Sequence, residues 1–183
     1  MRNFNSTAAL AVLALSFIFL GAENLLLSFA LAAIVGIVYA ALSKKKTVIA
    51  FDSGGVITEG DYFTQVVKER PGMRDLVKKL KQNYRVVLLT NQNALAQKLF
   101  AKKFGFGKLF DAQIVSGEIG VKKPNREIFD YVADKFDVKP SDIVFVDDAA
   151  ENVESAKSFG LKAVQFTSLE GLLSEFRRLK ITV

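Results

Sequence analysis

Four places in the chain carry the residue types that phosphate chemistry needs. Asp52 ends the apolar run of VIAFDSGGVIT, Thr90 and Asn91 close RVVLLTN, Lys123 stands before Pro124 in VKKPNREIF, and Asp147-Asp148 close DIVFVDD. Two carboxylate positions, a hydroxyl and a lysine converging on one edge would make a site for a phosphoryl group and a hard cation. Mg²⁺ takes oxygen ligands and usually only one or two carboxylates. A lysine and a hydroxyl can hold phosphoryl oxygens while a remaining aspartate attacks phosphorus. Composition removes the competitors: with no His and no Cys, Ser-His-Asp triads, Cys nucleophiles, zinc sites built on His or Cys and disulfide scaffolds are all excluded. Taken one at a time, the same residues have plainer roles. Asp52 could end a strand, Gly54 and Gly55 form a turn, Thr90-Asn91 cap a helix, and Lys123 sit in solvent.

For these residues to meet, the elements that carry them must share one edge. Thr47 to Phe51 reads as a buried strand, followed by a helix over Pro71 to Asn83 whose Met73, Leu76, Val77 and Leu80 recur at helical period. Strands are expected at Arg85 to Leu89, Ala112 to Val115, Ile143 to Val146 and Ala163 to Phe166. Helices are expected at Asn93 to Lys103, Asn125 to Phe136, Ala150 to Phe159 and Ser168 to Lys180. Such alternation predicts an α/β fold, a Rossmann-like parallel sheet with helices on both faces. Ligands in such sheets bind outside the carboxyl ends of the strands, where Asp52, Thr90-Asn91 and Asp147-Asp148 fall.

The four segments resemble, in order and spacing, the motifs of the haloacid dehalogenase-like (HAD) hydrolases. The likeness covers Thr47 to Val183. It implies that Asp52 is a nucleophile forming an aspartyl-phosphate and that Thr90, Asn91 and Lys123 bind the phosphoryl group. Mg²⁺ would sit on Asp52, the backbone carbonyl of Gly54 and Asp148, with Asp147 nearby, and Asn152 would organise that loop. The implied activity is a Mg²⁺-dependent phosphatase acting on a phosphomonoester. A different class stays open beside it, a catalytically weak phosphate- or partner-binding module held at a membrane. Two departures bear on the choice. Phosphatases of the family place a second Asp two residues after the nucleophile, and here that position is Gly54, a loss worth roughly 10²- to 10⁴-fold in rate; Glu59 or Asp61 could substitute. Many relatives also insert a helical cap, whereas only Glu59 to Arg70 lies between the first motif and the next helix. An open site results, suited to large phosphorylated substrates or to closure by a partner subunit.

The N-terminus has another character. From Ala8 to Leu42 the sole charged residue is Glu23. As one helix this run would be about 50 Å long, far beyond a hydrocarbon core of about 30 Å. A transmembrane hairpin turning at Glu23-Asn24 resolves the excess and makes residues 1–46 a membrane-anchoring unit ahead of a HAD-like domain at 47–183. Arg2 and Lys44-Lys45-Lys46 put both ends in the cytoplasm by the positive-inside bias. A cleaved signal peptide fits less well, because Leu20 stands where a small residue is expected before a cut. Only Ser43 to Lys46 would link hairpin to first strand. A strand leaving the membrane steeply would therefore lift Asp52 about 15 to 20 Å above the surface, facing away from it; a lipid substrate would need the domain on its side. Half of the net charge of +6 lies in residues 1–46, so no nucleic-acid partner is expected. The basic stretches Lys78-Lys79-Lys81 and Arg177-Arg178-Lys180 read as solvated helix faces, with anionic lipid contact as the sharper alternative. Substrate identity and oligomeric state stay open.

Overall fold

The computed structural model describes residues 30, 33–35, 47–61 and 66–183. The chain divides into two compact units, Met1–Lys44 and Lys45–Val183. In the first, residues 30 and 33–35 are helical. The expected hairpin lies almost wholly outside the described residues, among which no helix is long and apolar enough to cross a membrane.

In the second unit five parallel strands form one sheet: β1 (Val48–Phe51), β4 (Arg85–Thr90), β5 (Ala112–Val115), β6 (Ile143–Asp147) and β7 (Lys162–Gln165), in the order β5-β4-β1-β6-β7. Its helices are α1 (Met73–Leu80), α2 (Ala94–Phe104), α3 (Phe106–Leu109), α4 (Ser116–Ile119), α5 (Arg126–Phe136), α6 (Ala150–Ser158) and α7 (Leu169–Arg178). β1 is buried on both faces, which is why it reads as an unbroken apolar run rather than an alternating one. Its Ile49 and Phe51 pack with Met73, Leu76, Val77 and Leu80 of α1 and Leu172 and Phe176 of α7. Its Val48 and Ala50 pack with Ile128, Phe129 and Val132 of α5 and Ala156 of α6. Each of the Val, Leu, Ile, Phe and Met side chains contributes about 1.5–3 kcal/mol by leaving water, so the two layers set the sheet's position firmly.

Most of the expected elements are present, with strand ends shifted by one residue: β4 and β6 run on to include Thr90 and Asp147 themselves. A feature that apolar patterning does not reveal is an antiparallel hairpin of β2 (Thr58–Asp61) and β3 (Val66–Glu69), paired from Thr58↔Glu69 to Asp61↔Val66. It occupies the stretch where a cap was expected to be missing. It is a flap of two short strands, not a domain.

Candidate metal and phosphate site

The strand order reverses direction at β1: β4 and β5 lie to one side, β6 and β7 to the other. At such a switch point the loops leaving adjacent strands part and open a crevice. Asp52 follows β1 into it, Thr90 ends β4, and Asp147 ends β6 with Asp148 next to it. The Asp52 amide donates to the Val146 carbonyl at 2.8 Å, tying the end of β1 to β6. Thr90 is buried there.

Lys123 comes from the connection between β5 and β6, and its side chain is buried. Its ammonium Nζ lies 2.6 Å from Asp52 Oδ1 and 2.6 Å from Asp147 Oδ2. Asn91 sets the height of that side chain. Its Nδ2 donates to the Lys123 carbonyl at 2.8 Å, and its Oδ1 accepts from the Lys123 amide at 2.9 Å. Asn91 thus enters the site through its hold on the Lys123 backbone. Ser155 of α6 donates to the Pro124 carbonyl at 2.6 Å and fixes the next residue of the same loop.

Asp147 is saturated. Besides Lys123, its oxygens accept from the Ala149 amide at 2.9 Å and from Asn152 Nδ2 at 3.1 Å. Asn152 therefore orients this carboxylate. Asp148 is exposed, and one oxygen each of Asp52, Asp147 and Asp148 lie within 4.8 Å of one another. Three carboxylates against one ammonium leave two excess negative charges, and the donors are all hard oxygens. Both properties suit Mg²⁺. With Asp147 held by four hydrogen bonds, Asp52 and Asp148 are the carboxylates with capacity to take it.

The loop after β1 supports this cluster. Ser53 accepts at its carbonyl from the Ile57 and Thr58 amides at 3.0 and 2.8 Å, closing a single tight turn. Gly54 forms a bridge to Thr58 within the turn. At Gly55 φ is 75°, and a Cβ there would stand 2.0 Å from Asp148 Oδ2. Asp148 reaches its place only because residue 55 has no side chain. Gly55→Ala should therefore displace the Asp148 carboxylate and weaken Mg²⁺ binding, on the order of 10- to 100-fold as for other losses of ligand support. Calorimetric titration with Mg²⁺, alongside a melting curve to confirm folding, would reveal this; unchanged affinity would remove Asp148 from the ligand set.

Arg70, at the foot of the flap, donates to the Gly55 carbonyl at 2.9 Å and lies over the Phe166 ring at 5.1 Å. It also pairs with Glu59 at 2.8 Å, and Lys68 pairs with the same carboxylate at 3.3 Å. The Glu59 carboxylate is thereby occupied with flap cations, which argues against it as a replacement acid. Asp61 lies where side chains are not described.

Burial drives the Asp52 carboxyl up to about 6, with Asp147 pushing the same way; Lys123 and the Ser53 amide pull it down. In Mg²⁺-free buffer the folded protein then binds more protons than the unfolded chain between about pH 4 and pH 6, so stability falls as pH rises through that window. The rise of the Asp52 carboxyl from the ordinary carboxylate range to about 6 corresponds to about 3 kcal/mol. Denaturant titrations across this range should show wild type losing that much relative to Asp52→Asn; parallel curves would contradict the assignment.

The haloacid dehalogenase-like hydrolase family model matches residues 62–160, more than half of the chain. The chain belongs to that family. The match takes in Thr90, Lys123 and Asp147-Asp148, while Asp52 lies just ahead of it. Among curated relatives, this HAD-like chain is 28% identical over 105 residues to a phosphorylated carbohydrates phosphatase of Thermotoga maritima, covering 56% of this chain and 48% of that one. It is 29% identical over 116 residues to a glyceraldehyde 3-phosphate phosphatase of Pyrococcus furiosus, covering 62% and 48%. The HAD-like chain spans about half the length, or less, of the first curated relatives it matches. Its fold is shared with a HAD family enzyme from Bacteroides thetaiotaomicron solved with magnesium and inorganic phosphate, at TM-score 0.60 and 19% identity, covering 67% of this chain and 95% of that one.

Proposed function

We propose that this chain is a Mg²⁺-dependent phosphatase that cleaves phosphomonoesters through an aspartyl-phosphate on Asp52. The observation that carries the reading is the buried Lys123 ammonium lying 2.6 Å from both Asp52 and Asp147 at the mouth of the strands. Asp52 and Asp148 would hold Mg²⁺ with the Gly54 carbonyl, and the ion would neutralise phosphoryl charge. Lys123 and Thr90 receive phosphoryl oxygens beside it. An Asp52 oxygen bonds to phosphorus as the ester oxygen departs with the bonding electrons. Water then attacks phosphorus, releasing inorganic phosphate and restoring the Asp52 carboxylate. With glycine at position 54, protons for the leaving group come from solvent. The relatives named as phosphatases support this choice of reaction over a weakly catalytic binding module.

The reading includes an anchor. The apolar run from Ala8 to Leu42, flanked by Arg2 and Lys44 to Lys46, supports a hairpin with the catalytic domain on the cytoplasmic side. A flap of two strands in place of a cap domain supports a large phosphorylated substrate.

Phosphate release by the full chain with Mg²⁺ tests the proposal. Aryl phosphates, whose leaving groups need little protonation, should be cleaved faster than alkyl phosphates by roughly 10²-fold or more, and chelation of Mg²⁺ should abolish both. Binding of phosphate without turnover would favour the module; equal rates would mean that another residue supplies the acid.

A further inference from the structure

α2 packs Ala101 and Phe104 against the core but turns two leucines toward solvent. Its one fully buried residue is Gln97, whose Nε2 donates to Gln113 Oε1 of the edge strand β5 at 2.7 Å. Its outward stripe, at helical spacing, is Leu95, Lys98, Leu99 and Lys102; the leucines are 69% and 63% exposed. No acidic residue occurs in the helix. Val66 of the flap is also exposed, at 72%. The flap is joined to the same helix where Lys103 Nζ donates to the Val67 carbonyl at 3.0 Å.

Exposed leucines interleaved with lysines, without acids, form the face that a helix presents to an anionic lipid interface. We propose that the Leu95-Lys98-Leu99-Lys102 face of α2 docks the domain edge-on against an anionic bilayer. Charge decides between occupants. A second copy would bring lysines against lysines, whereas anionic headgroups complement them, at about 1 kcal/mol or roughly 5-fold in partitioning for each lysine near the surface. The leucines enter the acyl boundary between them. Since α2 lies at the β5 edge and begins just after Asn93, two residues beyond the Asn91 that positions Lys123, docking there would lay the sheet on its side. The mouth of the site would then open along the membrane instead of away from it. This goes beyond the phosphatase reading and does not depend on turnover.

The chain lacks cysteine, so single cysteines can carry an environment-sensitive fluorophore without background. Full-length Leu99→Cys and, as control, Asp134→Cys on α5 would be labelled and reconstituted with vesicles of phosphatidylcholine, with or without phosphatidylserine. The Leu99→Cys label should shift to the blue and be quenched by spin-labelled acyl chains when phosphatidylserine is present. Adding Lys98→Gln and Lys102→Gln should reverse that shift, while the Asp134→Cys label stays in water throughout. Leu99 is mostly exposed, so the substitution should not disturb folding. A chain held only by residues 1–46 would leave the Leu99→Cys label in water in both vesicles, and the docking proposal would fall while the anchor stood. Shielding in detergent that grows with protein concentration would also overturn it, in favour of a second copy. A blue shift without lipid-borne quenching would mean a protein surface instead.

Discussion

Asp52→Asn should lower Mg²⁺-dependent phosphate release on the order of 10⁵-fold, the scale seen when a covalent nucleophile is removed. The amide has the shape of the carboxylate but lacks its charge, and its nitrogen offers no lone pair to phosphorus. Lys123 would retain Asp147 as a partner at 2.6 Å, so the fold should persist. At saturating Mg²⁺ the loss should fall on kcat, since Lys123 and Thr90 still receive the phosphoryl oxygens, and more Mg²⁺ should be needed to saturate because Asp52 is also one of the carboxylates with capacity for the ion. Phosphate-release kinetics with an aryl phosphate, beside far-ultraviolet circular dichroism, would measure both. A folded Asp52→Asn protein retaining more than about a tenth of wild-type activity would mean that the bond to phosphorus forms elsewhere.

Lys123→Met should have the second largest effect, and on two observables. The ammonium is buried and separates two carboxylates that are themselves largely shielded from water. Replacing it with an apolar chain of similar length leaves those charges facing each other uncompensated, a change that costs about 3–5 kcal/mol when one partner of a buried ion pair is removed. Activity should vanish with it. Part of the stability should return in Lys123→Met combined with Asp52→Asn, because the second change removes the repulsion; residues in one network are not additive. Urea unfolding of the two single variants and the double would give the coupling directly. Strict additivity would show that Lys123 screens nothing.

The sheet and the residues at its carboxyl end were readable because both depend on patterns the chain states locally. VIAF, VVLL and IVFV are apolar without interruption, since strands covered on both faces must be, and each runs into a polar residue at the carboxyl end of the sheet. α1 shows its buried face at Met73, Leu76, Val77 and Leu80 for the same reason. The flap was not readable. TEGD and VVKE bury Thr58 and Val67 and leave most other described side chains toward solvent, so no apolar period marks them as strands. Gly55 looked like any turn glycine, because what constrains it is Asp148, far away in the chain. The place of Asn91 after Thr90 marks it as a site residue; that its amide grips the Lys123 backbone depends on a long-range approach with no local signature. α2 illustrates the converse case. Its helical character was legible, but its apolar residues lie on more than one side: Ala101 and Phe104 pack on the core beside the Gln97–Gln113 bond, while Leu95 and Leu99 face outward.

The sheet order also governs when, during synthesis, the site can exist. β1 leaves the ribosome first, yet its neighbours are β4 and β6, and Val48 pairs with both Arg85 and Ile143. Asp52 meets Lys123 and Asp147 only after nearly the whole domain has emerged. A nascent chain ending before β6 lacks both Asp147, the second partner of Lys123, and the Asp148 carboxylate. Mg²⁺ can therefore select the completed domain alone, and its binding acts at the final step of folding by mass action on the native state.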